Sequence, residues 1–260
     1  MSALHVARMV LVAATIWIVA FPAAGDVRVM SNGTTQDGKN VATILIYREI
    51  NQGDAAAFGS AVDTLSKITV NKMNGVPLII TELDSKGGDV LEAEAIGRKI
   101  RASFIVTRVM PNKICASACV IVLVAGVQRI VGDGAHIGLH RPMFGSSYFA
   151  GLSAQDASTK YDHLINGINS YFGEMRASPD LLHTMMTVPS SSIKYLSDRE
   201  IDALGVRGTD PAWDEYSEAG FVQKYGATRW TFIKQCIHQR PTLNDFPTCE
   251  RRAYEQYPNN

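Results

Sequence analysis

The chain has 260 residues, with 25 Lys and Arg against 25 Asp and Glu; 46% of residues are hydrophobic and 19% charged. That balance supports one sizeable core and excludes two broad classes. No basic stripe marks a nucleic-acid binder, and no acidic run marks a disordered tail.

The chain opens like an export signal. Arg8 is the sole Lys or Arg before Asp26, residues 9–21 are apolar apart from Thr15, and Ala23, Ala24 and Gly25 supply small residues for cleavage. The apolar run falls short of the ~20 residues that a membrane span needs, so no stable anchor is expected after cleavage. Loss of residues 1–25 removes Arg8 alone among the charges, leaving 24 − 25 = −1. The expected divisions are a signal peptide at 1–25, a main domain at 26–208 and a C-terminal extension at 209–260. The expected location is periplasmic or secreted.

Export makes disulfides the natural reading of the 4 cysteines. Cys236 and Cys249 lie in a polar, aromatic-rich tail with little core of its own, and a bridge there would contribute about 3 kcal/mol. Cys115 and Cys119 stand at a helical i to i+4 spacing, compatible with a bridge beside Ser117 or with two small buried thiols.

Residues 26–40 are rich in Gly, Thr, Asn and Asp and read as a loose lead-in. Residues 41–47 are β-branched and apolar, a strand. Asp54 then caps a helix that places Phe58, Val62, Leu65 and Ile68 on one face. A second strand is expected at 76–83, a turn at 84–88, and from Asp89 a helix facing inward with Val90, Ala93, Ile96 and Ile100. A third strand at 104–110 leads to a small-residue turn, Cys115 to Cys119, and a wholly apolar helix to Gly126. Residues 129–131 and 135–140 read as two short strands around the turn at 132–134. Ser153 and Asp156 form a variant capping box for a long amphipathic helix, Ser178 and Pro179 open a shorter one, and Ser197 and Glu200 box a last one ending at Gly205. Strands alternating with helices imply an α/β fold with a largely parallel sheet. Beyond Gly208 the aromatic-rich remainder reads as an appendage packed on the domain.

Ligands of open parallel sheets collect at the carboxyl ends of the strands, where three elements fall. Gly87 and Gly88 follow the second strand and offer bare backbone amides. Ser117 opens a buried segment whose first-turn amides lack intrahelical partners, although a serine there can equally be an ordinary N-cap. His140 ends a strand and is followed by Arg141 and Pro142. Together they read as oxyanion donors, a hydroxyl nucleophile and an imidazole base.

The segments Leu83-Asp-Ser-Lys-Gly87-Gly88-Asp-Val90, Ile114-Cys-Ala-Ser117-Ala-Cys119 and Ala135-His-Ile-Gly-Leu-His140-Arg-Pro142 resemble the ClpP/crotonase superfamily, and more narrowly its exported ClpP-like serine peptidase relatives. The resemblance spans roughly residues 41–206 by element order. It implies a ββα spiral with a largely parallel sheet, Ser117 as nucleophile, His140 as base, and the amides of Gly88 and Ala118 as the oxyanion hole. It also implies peptides or unfolded proteins as substrates, no cofactor, and assembly into a homo-oligomer. One position departs from the pattern: where the family has its acid, residues 190–194 carry three serines, Ile193 and Lys194. Candidate orienters of His140 are therefore Ser191, Ser192 and Asp198, with Asp162 and Asp180 further afield.

Two other readings stand beside the peptidase. A chain that lost the acid could serve as a catalytically silent binding or assembly module, and a crotonase-type acyl-thioester enzyme would not need Ser117. A Ser-Lys dyad through Lys86 or Lys113 ranks below the pair with His140. His163 and His183 have no Glu or Cys at ligand spacing, so no metal is expected.

Overall fold

The computed structural model describes residues 27–34, 40–67, 72–73, 76–77, 79–239 and 245–258; the expected signal peptide lies outside them. Strand β1 (Val27–Thr34) pairs antiparallel with β2 (Asn40–Ile50), where a loose lead-in is expected from composition. The β-branched Val27 and Val29 suit a strand once β2 offers a partner. Helix α1 (Asp54–Lys67) buries Phe58, Ala61, Val62 and Leu65.

The strand expected at 76–83 is displaced. A small hairpin of β3 (Lys72–Met73) and β4 (Val76–Pro77) precedes the main strand β5 (Ile79–Gly88). The expected turn at 84–88 is the end of β5, because Ser85, Gly87 and Gly88 stay paired with Arg48, Glu49 and Ile50 of β2. Helix α2 (Val90–Ala102) follows at once, capped by Asp89, whose carboxylate accepts from the amides of Leu91 and Glu92.

Next come β6 (Val106–Val109), β7 (Ile114–Ala116), α3 (Ala118–Leu123), β8 (Gln128–Val131) and β9 (His136–Leu139). After them run α4 (Ala154–Glu174), α5 (Pro179–Thr187), β10 (Lys194–Tyr195), α6 (Asp198–Ala203) and β11 (Gly208–Thr209). The sheet runs β10-β9-β7-β5-β6-β8-β11, with β2 also on β5 and β1 on β2. The β2–β5, β5–β6, β5–β7, β6–β8 and β7–β9 pairs are parallel, and antiparallel pairs stand only at the margins. The chain is therefore an α/β protein with a largely parallel sheet.

The sheet forks at β5, whose residues 80–83 pair with β6 while Ser85 pairs with β7. Both strands expected around 132–134 form, but the fork keeps them from pairing with each other: β8 joins β6 on one arm and β9 joins β7 on the other. Parallel pairing against buried strands engages more backbone than a short isolated hairpin could.

Every residue of α3 is at most 1% exposed. Its final carbonyls still find donors: Tyr171 Oη of α4 bonds Ile121 O at 2.8 Å and Thr107 Oγ1 bonds Leu123 O at 2.7 Å. A Cβ on Gly97 would stand 1.7 Å from that tyrosine oxygen, so only glycine lets α2 and α4 close over α3.

The extension is helical: α7 (Pro211–Tyr225), α8 (Ala227–Gln239) and α9 (Asp245–Gln256). Tyr225, Trp230, Ile233 and Ala253 form a small separate core around the Cys236–Cys249 disulfide. Asp210 joins it to the domain, with its amide on Val127 O at 2.8 Å and its carboxylate 2.8 Å from Arg101.

Candidate active site

Ser117 sits between the last residue of β7 and the first of α3, with φ 55° and ψ −129°. Residues other than glycine rarely adopt this conformation, at a cost of about 1–3 kcal/mol. The N-cap reading can be tested within the chain. Ser153, Ser178 and Ser197 cap their helices with φ between −72° and −59°, each accepting a backbone N–H. Ser117 occupies the same helical position without any side-chain capping bond. Its half-buried hydroxyl is thus not spent on the helix.

Parallel strands bring the other elements to it. The β7–β9 register pairs Ala116 with Gly138, and Ser117 N–H donates to Gly138 O at 2.9 Å. His140 follows Gly138 by two residues, just past the end of β9, so Ser117 and His140 leave neighbouring strands at the same end of the sheet. Among the described residues no hydrogen bond joins Ser117 Oγ to His140; contacts of unliganded sites are often long and tighten on binding. Among the described residues the half-buried His140 ring has one hydrogen-bond partner, Nδ1 to Arg141 O at 2.8 Å. A carbonyl only accepts, so Nδ1 is the donor in this bond, which in the neutral ring leaves Nε2 as the acceptor.

Arg141 is itself fixed. Its guanidinium donates twice to Met186 O, at 2.9 and 3.2 Å, and its amide to Val188 O at 2.9 Å. Among the candidate orienters chosen from sequence, Ser192 Oγ donates to Pro189 O at 3.3 Å, Asp198 pairs with Arg207 at 3.2 Å, and Ser191 is exposed. No side-chain pattern could have flagged Arg141, because the contact uses its main chain.

Gly87 and Gly88 close the opposite side. A Cβ on Gly87 would meet Ser117 Cβ at 2.6 Å and Ala118 N at 2.9 Å; one on Gly88 would meet Ile50 O at 2.2 Å. Both have positive φ, 102° and 142°. The Ala118 amide, first in α3, has no intrahelical acceptor and lies beside Gly87.

Gly88 also borders a cleft of about 320 Å³ between the end of β2 and residues 143–148. Asn51, Asp89, Phe144 and Tyr148 contribute to its walls. The Tyr148 hydroxyl donates to Asp89 at 2.8 Å, a bond that raises its pKa and ties the 143–148 segment to the start of α2.

Lys113 does not suit the role of base. Its ammonium lies 2.8 Å from Asp84, and that hydrogen bond raises its pKa, holding the proton. Lys86 is exposed. Among the described residues no group of three or more His, Cys, Asp or Glu side chains is placed to hold a metal, and no helix is long and apolar enough to cross a membrane. Cys115 and Cys119 are bridged, with Cα atoms 5.2 Å apart, which resolves the alternative left open by their spacing.

No family model matches the chain, and no curated protein matches it. Among solved structures, a point mutant of ClpP1 from Listeria monocytogenes is similar with a TM-score of 0.45 at 21% identity, covering 64% of this chain and 88% of that one.

Proposed function

We propose that the protein is a ClpP-like serine hydrolase that cleaves peptides or unfolded protein segments through a Ser117–His140 dyad. The observation that carries this reading is Ser117, the one N-cap serine of the four whose backbone is strained and whose hydroxyl does not cap. Strain of that kind persists where the surroundings over-determine it, and it turns a side chain out of a buried helix start.

In this reading His140 Nε2 takes the Ser117 proton as the oxygen attacks a carbonyl carbon, and the negative charge gathers on the former carbonyl oxygen beside the amides of Gly88 and Ala118. Collapse of the tetrahedral species breaks the C–N bond, with His140 returning the proton to the leaving amine. Water, deprotonated by the same ring, then releases the acyl group from Ser117. The cleft beyond Gly88 has room for a substrate side chain flanking the bond.

The Arg141 carbonyl takes the orienting place of an acid. It fixes the tautomer but stabilises the imidazolium less than a carboxylate would, so turnover is slow, by up to ~10⁴ relative to a full triad. That same weakness favours the second reading, a silent binding or assembly module. Two disulfides, together with the export-like leader, support an oxidising compartment, and assembly with copies of itself follows the family resemblance.

Incubation with unfolded casein and with a mixed peptide library, followed by mass spectrometry, tests the reading. New cleavage products are expected from the wild type and none from Ser117→Ala or His140→Ala. Equal products from all three proteins, or none from a folded wild type, would overturn it.

A further inference from the structure

We propose that the Cys115–Cys119 disulfide is the positioning device for Ser117, holding its backbone in the strained conformation that presents the hydroxyl. The inference rests on Ser117 as the reacting alcohol and adds what sets its geometry. Cys115 lies within β7, paired with both Ser85 and Ile137, while Cys119 is the second residue of α3. The bridge therefore joins the middle of a short strand, paired on both sides, to the start of a helix across the three residues that contain the turn.

Relaxing Ser117 from φ 55° to the ordinary negative region would rotate the following chain by roughly 100° about its N–Cα bond. With Cys115 held in the ladder of β7, that rotation redirects Cys119 and the start of α3, and the bridge, its Cα atoms 5.2 Å apart, resists the change. Closing the bridge thus disfavours the relaxed alternative. Two main-chain bonds, Ser117 N–H to Gly138 O and Val120 N–H to Ser117 O, also hold the turn, and neither involves sulfur. The bridge is therefore the separable part of the restraint. Within the same chain Ser153, Ser178 and Ser197 start helices without a flanking bridge, and each has an ordinary negative φ.

The placement also makes the site redox-dependent. A dithiol reductant that reaches the bridge opens it by thiol–disulfide exchange: two electrons and two protons pass to Cys115 and Cys119, which become thiols, and the reductant becomes a cyclic disulfide. Both cysteines are 0% exposed, so this requires local opening and is slow in the folded state.

The test compares full-length oxidised protein with the double variant Cys115→Ala, Cys119→Ala. Crystal structures give φ at Ser117, and a fluorophosphonate probe gives the labelling rate across pH, measured well below both melting temperatures. Loss of the bridge is expected to move Ser117 to negative φ and to slow labelling about tenfold or more, with the pH midpoint unchanged because His140 is untouched. A purely stabilising bridge would lower the melting temperature and leave φ and rate as they were, which would overturn the proposal. Should the double variant fail to fold, the double variant Cys115→Ser, Cys119→Ser replaces it, with the same two outcomes. If oxidised wild type takes no label, the hydrolase reading falls, and φ at Ser117 alone still decides whether the bridge sets the turn.

Discussion

Gly87 and Ser117 meet through bare backbone: a Cβ on Gly87 would lie 2.6 Å from Ser117 Cβ, with the Ala116 carbonyl oxygen and the Ala118 amide nitrogen within 3 Å. Gly87→Ala has no free direction, since its φ of 102° already disfavours a side chain and the atoms it meets are largely backbone. The variant is expected to lose roughly 2–3 kcal/mol of stability by urea titration. Its loss of hydrolysis is expected to exceed what that instability explains, because Ser117 and Ala118 must shift. Unaltered activity in a folded Gly87→Ala protein would show that this contact does not shape the site.

Arg141 acts on His140 through its carbonyl, and its side chain pins that carbonyl to Met186. Arg141→Met is therefore expected to slow turnover about tenfold, well short of the ~10⁴ attached to complete loss of an orienting partner. KM should hold, since no substrate contact is removed. Arg141→Lys should recover only part of the rate, because an ammonium cannot reproduce the two-pronged grip of a guanidinium. Steady-state kinetics on a cleavable peptide separate the two parameters.

The alternation of strands with helices, and the residues at the strand ends, are legible in the sequence. Ser117, His140 and the diglycine lie at carboxyl ends of strands because βαβ connectivity leaves them there, and the serine caps at 153, 178 and 197 carry a local signature that the fold keeps. Strand β7 is not legible: three residues, two of them Cys and Ala, have no alternation to read, and their pairing with Ser85 and Gly138 is a tertiary fact. The continuation of β5 through 84–88 is hidden for a similar reason. Two glycines usually announce a turn, and here they stay paired with β2, with positive φ and a close approach of Ile50 and Ser117 that leaves no room for a side chain. The bridge across Ser117 is undecided by sequence because an i to i+4 spacing looks alike in a helix and across a strand-to-helix turn.

Asp210 is the negative group within a buried basic cluster. Its carboxylate lies against Arg101, and Arg129 nearby donates to the carbonyls of Gly126, Met175 and Gly205. Burial, followed by the charge of Arg101, pushes the Arg129 guanidinium down to about 10. Asp210→Asn leaves Arg101 and Arg129 without that charge, so a loss of roughly 3–5 kcal/mol is expected in thermal or urea unfolding. A change within experimental error would show that the cluster is balanced without Asp210.

Acid stability has a specific contributor in Glu200. Hydrogen bonds from Lys194, and then from the Ser197 backbone and side chain, lower its pKa from an ordinary 4.5 to about 2. A carboxylate with a depressed folded value stabilises fully above 4.5 and loses that contribution as pH falls through about 2. Glu200→Gln keeps the capping geometry but cannot titrate. The difference in melting temperature between wild type and Glu200→Gln is expected to be constant above pH 4.5 and to shrink steadily towards pH 2. A difference that does not change with pH would contradict the assignment.

The most direct test of the account is covalent labelling with a fluorophosphonate, read by mass spectrometry of the peptide that contains Ser117. The account predicts one adduct, on Ser117, formed by the wild-type protein and lost in His140→Ala with the fold intact. A folded protein that takes no label, or one labelled equally well without His140, would contradict it.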